Sequence, residues 1–224
     1  MYPSLLLLNA RSLLPKIDEL YLLSRTINQD IVIISESWLT DDVLDEQVAL
    51  PGYSSLFRND RSDGRRGGGV CVYVRDSFRC FPTTDVHPEN SPSSYERLFL
   101  HLPGINALLL ALYVPPNLSK CEKDDIVQEI SDSSEIFISG SHHSKLLVAG
   151  DLNDLPTDDL ELQFSLRQVV SEPTRGDAIL DKILMDTELL DEYNSPTVSS
   201  IFSSSDHRVV FMPPIVSKVS LTRV

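Results

Sequence analysis

Positive charge is scarce in this sequence: 19 Lys and Arg stand against 33 Asp and Glu, a formal net charge of -14. Proteins that hold nucleic acid by charge alone are usually basic, so tight nonspecific binding is disfavoured. An acidic balance still suits a site that gathers carboxylates around a divalent cation, because the cation itself attracts a phosphate. Long apolar runs are also missing. Leu5 to Leu8, the longest near the start, lacks a basic flank and is far shorter than a signal-peptide core or a membrane span. The expectation is an intracellular protein, nuclear or cytoplasmic, neither secreted nor membrane-bound. The 3 cysteines, Cys71, Cys80 and Cys121, have no metal-ligand spacing, and their odd number argues against a full disulfide framework. No internal repeat, linker or low-complexity tract divides the chain.

What remains is an ordinary globular composition. With 224 residues, 42% of them hydrophobic, there is enough for one sizeable core and too little for two, so residues 1–224 read as a single domain, expected to be a monomer. Leu5 to Leu8 and the β-branched run Ile31 to Ile34 read as buried strands, with Pro15 opening a helix between them. The second strand delivers Glu36 at its carboxyl end, close to Asn9 at the end of the first. Tyr53 to Phe57 and Gly69 to Val74 suggest two more strands, joined by a loop with Arg58, Arg61, Arg65 and Arg66. Leu98 to Leu102 and Ala107 to Tyr113 suggest a hairpin about Pro103-Gly104, and Lys120 to Ile138 an amphipathic helix using Ile126, Val127, Ile130 and Ile136. Leu146 to Ala149, Ile179 to Leu184 and Val209 to Met212 complete a strand-rich α/β pattern, and the Ser-rich stretch Ser199 to Ser205 reads as a surface loop.

Singly, an Asn, Asp or Ser after a strand is an ordinary turn or cap residue. Here such residues follow three separate buried strands: Asn9, Glu36, and the pair Asp151 and Asn153, while Ser205-Asp206-His207 precedes a fourth. Hard divalent cations take one or two carboxylates plus waters and substrate phosphate, a role that suits Glu36 and Asn9. Hydrolysis of a phosphodiester also needs an activated water and donors for the charge developing on phosphorus, for which Asp151, Asn153, Tyr113 and His207 are candidates. Asp181, on another strand, is placed to fix the tautomer of His207.

In order, Asn9-Ala10-Arg11-Ser12-Leu13, Ser35-Glu36-Ser37-Trp38-Leu39, Gly67-Gly68-Gly69-Val70, Gly150-Asp151-Leu152-Asn153 and Ser205-Asp206-His207, with Pro173-Thr174-Arg175 and Leu180-Asp181-Lys182-Ile183, span nearly the whole chain. The set resembles the apurinic-type endonuclease domain of non-LTR retrotransposons, in the endonuclease/exonuclease/phosphatase superfamily. That resemblance implies a four-layer α/β (α+β) sandwich: two packed, mostly antiparallel β-sheets flanked by helices, with the active site at one edge. It implies Mg2+, or Mn2+ in its place, held by Glu36 with Asn9 and Asp206 beside it. Tyr113 and Asn153 would contact the phosphate and Asp151 would position or activate water. His207 would contact the phosphate, oriented by Asp181, with Thr174 and Ser205 as hydrogen-bonding support. The substrate implied is DNA, nicked on one strand to leave a 3′-hydroxyl for a downstream reverse transcriptase. No such polymerase lies within these residues, so the chain reads as an excised domain, a truncated copy or a free-standing descendant. Arg11 stands where apurinic repair enzymes carry an acidic residue, which argues against repair. The segment from Asp151 to Thr174 looks shorter than in several relatives.

Other signals are weaker. Arg58, Arg61, Arg65 and Arg66 are candidate DNA contacts, Arg65 and Arg66 foremost, although solvated loop arginines are common. His142-His143 has no Cys or His partners and reads as a surface loop. Gly67 to Gly69 has no Gly-Lys-Ser/Thr after it, so a bulge or close strand approach is expected rather than a phosphate cradle. Trp38 is expected to pack beneath the metal site. Two further functions stay open: hydrolysis of another phosphoester, such as a phosphoinositide, sphingomyelin or RNA, and a decayed retroelement copy without turnover.

Overall fold

The computed structural model describes residues 1–83, 86, 94–140 and 143–215. Two six-stranded sheets lie face to face. The first is formed by β1 (Leu5–Asn9), β2 (Ile31–Ser35), β3 (Ser55–Asn59), β4 (Val70–Val74), β11 (Thr197–Ile201) and β12 (Arg208–Met212) in the order β11-β12-β1-β2-β4-β3. The second is formed by β5 (Phe81–Pro82), β6 (Glu96–Leu102), β7 (Ala107–Tyr113), β8 (Lys145–Asp151), β9 (Leu166–Gln168) and β10 (Asp181–Asp186) in the order β5-β6-β7-β8-β10-β9. Each sheet is mixed. β1 with β2 and β7 with β8 are parallel, and every other pairing is antiparallel.

The leucine and isoleucine runs are continuous rather than alternating because the central strands are covered on both faces. Leu5, Leu7, Ile31 and Ile33 turn inward to meet Leu109, Ala111, Leu147, Ala149 and Ile183 of the other sheet. Leu6, Leu8, Val32 and Ile34 face outward beneath α1 (Ile17–Ile27), which buries Leu20 against them. On the far side α2 (Lys120–Gly140) lays Ile126 and Ile130 over Leu108, Leu110, Leu146 and Val148. Each such side chain contributes about 1.5–3 kcal/mol by leaving water. Helix, sheet, sheet and helix are the four layers expected.

Local departures have physical causes. Pro15 lies in a short 3-10 turn, Leu14–Lys16, and the α-helix begins only at Ile17. Ile136, counted in the apolar stripe of α2, is 44% exposed. The Ser-rich stretch is a loop only in part: Ser199 to Ile201 belong to β11, an edge strand that is largely exposed and irregular in register against β12. An edge strand with one face in water needs few apolar residues, so its sequence resembles a loop. No sequence period marks α3 (Asp158–Gln163), β5 or β9, each too short for one to register. His142 lies outside the described residues, and His143 is an exposed turn residue. Among the described residues no helix is long and apolar enough to cross a membrane.

Parallel pairing within each sheet is what collects the chemistry. The carboxyl ends of β1 and β2 coincide at Asn9 and Ser35, and those of β7 and β8 at Tyr113 and Asp151. Ser35 bridges the sheets there, its hydroxyl donating to the Leu112 carbonyl at 3.3 Å and accepting from the Asp151 amide at 3.0 Å.

Candidate active site

The deepest part is an acid and imidazole pair. Asp181, the first residue of β10, lies opposite Asp151 in the pairing with β8. Its Oδ2 is 2.7 Å from His207 Nδ1, with both side chains buried. Thr174 fixes Asp181 from behind, its hydroxyl accepting from the amides of Leu180 and Asp181 at 3.0 Å each. Ser205 seats the histidine: its hydroxyl donates to the Asn9 carbonyl at 2.7 Å and accepts from the His207 amide at 3.2 Å. Burial alone would lower the pKa of His207, but the hydrogen bond and charge of Asp181, with the charge of Asp151, hold it above the ordinary value.

The other imidazole nitrogen faces Asp151, with Nε2 3.9 Å from Oδ2. Burial, then the neighbouring Asp181 charge, pushes the Asp151 carboxyl up to about 7. Asn9 Nδ2 donates to Asp151 Oδ2 at 2.8 Å and reaches Glu36 Oε1 at 3.3 Å, so one buried amide ties the carboxylates of two sheets together. Asn153 follows with a left-handed backbone (φ 46), its amide N–H on Asp151 Oδ1 at 3.1 Å and its side chain on the Val114 carbonyl at 2.8 Å.

Glu36, half-buried at the rim, completes the line. Tyr113 donates its hydroxyl to Oε1 at 3.2 Å, and the Trp38 indole N–H donates to Oε2 at 2.9 Å. Burial, then the Glu36 charge, keeps the Tyr113 phenol protonated well above its ordinary range. Glu36 and Trp38 both hold positive φ, 49 and 53, a conformation that costs roughly 1–3 kcal/mol per residue and persists only where neighbours impose it. One such neighbour is the glycine run. Gly69 (φ +83) passes so close that a Cβ there would lie 2.5 Å from the Ser37 hydroxyl, and the Gly68 and Gly69 carbonyls accept from the amides of Trp38 and Ser37. The close strand approach expected of Gly67 to Gly69 is therefore present.

Two expectations take a different form. Asp206 pairs with Arg11 and Arg175 at the surface, not with His207 or Glu36. Of the four arginines expected in the loop, Arg58 lies instead in β3, bound by Asp45 and Asp60, and Arg61 is bound by Glu96. Arg65 pairs with Asp63 while remaining exposed, and Arg66 lies over the Trp38 ring, 5.0 Å from its centroid. Trp38 is accordingly a half-exposed member of the site as well as a packing residue. The sequence reading missed its bond to Glu36, the bridge at Ser35 and the buried Lys16, whose ammonium is bonded to the carbonyls of Ala10 and Arg11. Only the two-residue spacing of Glu36 and Trp38 hinted at any of these.

The donor set fits a hard divalent cation. Glu36, Asp151 and Asp181 gather with His207 as the sole cationic partner in salt-bridge contact with any of them among the described residues, and Glu36 accepts only from neutral donors. Asp181 Oδ1 is buried without a hydrogen-bond partner. Asp151, Asp181 and His207 also bring ligand-capable atoms within 4.8 Å of one another. Ligation through His207 Nδ1 or Asp181 Oδ2 would cost the Asp181 to His207 bond, whereas Glu36 offers its carboxylate at the rim without that loss, beside the buried Asn9, whose Oδ1 accepts from the Arg11 amide.

The same architecture occurs in solved structures. The endonuclease domain of TRAS1, a telomere-specific non-LTR retrotransposon, superposes with a TM-score of 0.69 at 14% identity, covering 96% of this chain and 99% of that one. An AP endonuclease from Leishmania major gives 0.70 at 14% identity, covering 93% and 86%. A 3′ phosphatase from Neisseria bound to product DNA hairpin gives 0.66 at 15% identity, covering 95% and 99%. At such identities the likeness establishes the fold alone. No curated protein matches the sequence. The Endonuclease/Exonuclease/phosphatase family model matches residues 6–207, nearly the entire span from β1 to His207, and the chain belongs to that family.

Proposed function

We propose that this chain is a divalent-metal-dependent phosphodiester hydrolase that nicks one strand of DNA and leaves a 3′-hydroxyl. The observation that carries the reading is the unbroken polar line from Asp181 through His207 and Asp151 to Asn9, Glu36 and Tyr113, drawn from both sheets to one edge. The DNA assignment is supported by the retrotransposon endonuclease domain and the DNA-bound phosphatase that share the fold.

Glu36 and Asn9 would hold Mg2+, or Mn2+ in its place, with Asp206 close by once released from its arginines. When bound, the ion supplies positive charge for the phosphate and leaving oxygen. The remaining work falls to the side chains. Asp151, with a pKa near neutrality, takes a proton from the attacking water. The water oxygen bonds to phosphorus as the P–O3′ bond breaks, and the departing O3′ takes a proton from solvent. His207, fixed by Asp181, presents Nε2 to the phosphoryl oxygens, where its positive charge offsets the charge that builds up. Tyr113, its one hydroxyl proton turned from Glu36 to the substrate, and Asn153 donate to the same oxygens, and Thr174 and Ser205 keep Asp181 and His207 in place. Arg65 and Arg66, the exposed loop arginines, are assigned to the DNA backbone.

The test is nicking of supercoiled plasmid with magnesium and with chelator, comparing the parent with Asp151→Ala and His207→Ala. Loss of one such group typically costs about 10²- to 10⁴-fold. Activity that survives both substitutions would refute the site. A smaller phosphoester substrate is the second reading, favoured by the neutralisation of Arg58 and Arg61 by acidic neighbours. A substrate panel without plasmid nicking would support it.

A further inference from the structure

Two arginines from unconnected segments close on one carboxylate at the rim of the site. Arg11 Nη1 donates to Asp206 Oδ1 at 2.8 Å. Arg175 donates to Asp206 Oδ2 from Nε at 2.8 Å and from Nη2 at 2.7 Å. All three side chains keep 42–43% of their surface in water, so the cluster is open to an incoming ligand.

Its place is set by the same elements that build the site. The Arg11 amide donates to Asn9 Oδ1 at 3.1 Å, and Arg11 holds φ 43 with its carbonyl on Lys16 Nζ at 3.0 Å. Arg175 follows Thr174, the support of Asp181, and Asp206 precedes His207. The charge of Arg175 reaches His207, whose protonation it opposes.

A carboxylate and a phosphodiester present the same thing to guanidinium groups: one negative charge shared by two oxygens. In this cluster each carboxylate oxygen is taken by a different arginine, the arrangement that would grip the two non-bridging oxygens of one phosphate. Three charged groups with a net single positive charge favour an anion, and exposed ion pairs are weak enough to exchange.

We propose that Arg11 and Arg175 form a subsite for a backbone phosphodiester next to the one being cut, with Asp206 as an internal placeholder that the substrate displaces. The inference rests on the DNA reading above and adds a place where the strand is held.

The experiment is a binding measurement without turnover: anisotropy of a labelled DNA duplex in chelator, across a salt series. The variants are Asp206→Asn, the pair Arg11→Gln with Arg175→Gln, and all three together. Asp206→Asn should tighten binding about threefold to tenfold, since the competitor for two exposed cations is gone. The arginine pair should weaken binding and reduce the salt slope by about 0.9, the value for one phosphate rather than two. In that background Asp206→Asn should give no gain. A gain that persists without the arginines means simple charge repulsion and overturns the proposal, as does an unchanged salt slope. A parallel titration with inorganic phosphate, read on the Arg175 Nε–H resonance, separates this failure from failure of the DNA reading. A folded parent that ignores DNA sinks the DNA reading. The subsite still stands if phosphate shifts that resonance, at lower concentration in Asp206→Asn, and falls if it does not.

Discussion

Replacing Asp181 by asparagine removes one charge and leaves the shape of the site intact. The residue is fully buried, its amide is pinned by Thr174, and its Oδ2 lies 2.7 Å from His207 Nδ1, so the new side chain has nowhere else to go. A hydrogen bond to a charged partner contributes about 1.5–3 kcal/mol. Because the hydrogen bond and charge of Asp181 hold His207 above its ordinary pKa, their loss lowers it. The imidazolium would then be lost at lower pH than in the parent, and an amide N–H turned toward Nδ1 would also impose the wrong tautomer. Nicking should therefore drop by about 10²- to 10⁴-fold at neutral pH, with its alkaline limb moved to lower pH. The assay is single-turnover nicking across pH, paired with a proton NMR titration of His207. Folded Asp181→Asn protein that nicks within about threefold of the parent, or whose His207 midpoint is unmoved, would refute this account of the pair.

The sole tryptophan donates its indole N–H to Glu36, so divalent cation binding should be visible as a change in intrinsic fluorescence. Glu36→Gln should abolish that response, and a parent spectrum that stays flat at metal concentrations supporting nicking would remove Glu36 as ligand. Gly150→Ala would place a Cβ 1.8 Å from the Leu112 carbonyl oxygen, forcing β7 and β8 apart beside Tyr113 and Asp151. A loss of about 3 kcal/mol or more is expected in urea unfolding, and an unshifted midpoint would contradict the packing described.

Much of the fold was legible because the central strands are buried on both faces and announce themselves as unbroken apolar runs at Leu5 to Leu8 and Ile31 to Ile34. Edge elements announce nothing. β11 keeps Ser199 and Ser200 in water and so resembled a loop, while β9 is only three residues long. The site was legible for a similar reason: a polar residue standing directly after a buried strand is exceptional in its context, which singled out Asn9, Glu36 and Asp151. Partnerships were harder to read. Glu36 depends on Trp38 and Tyr113, and Asp206 turns to two arginines instead of the histidine beside it, because partner choice follows the approach of segments far apart in sequence.

By itself, then, the order of residues determined which segments become buried strands, which side chains stand at their ends and which family the chain resembles, since these follow from burial periodicity and local spacing. Only the tertiary structure decided the pairings. Two parallel couples, β1 with β2 and β7 with β8, bring four strand ends to one edge, and the packing of one sheet on the other places Asp151 within reach of both Asn9 and His207. The physical reason is that hydrogen bonds and charges act over a few ångströms of space. That separation is set by sheet packing and not by position along the chain.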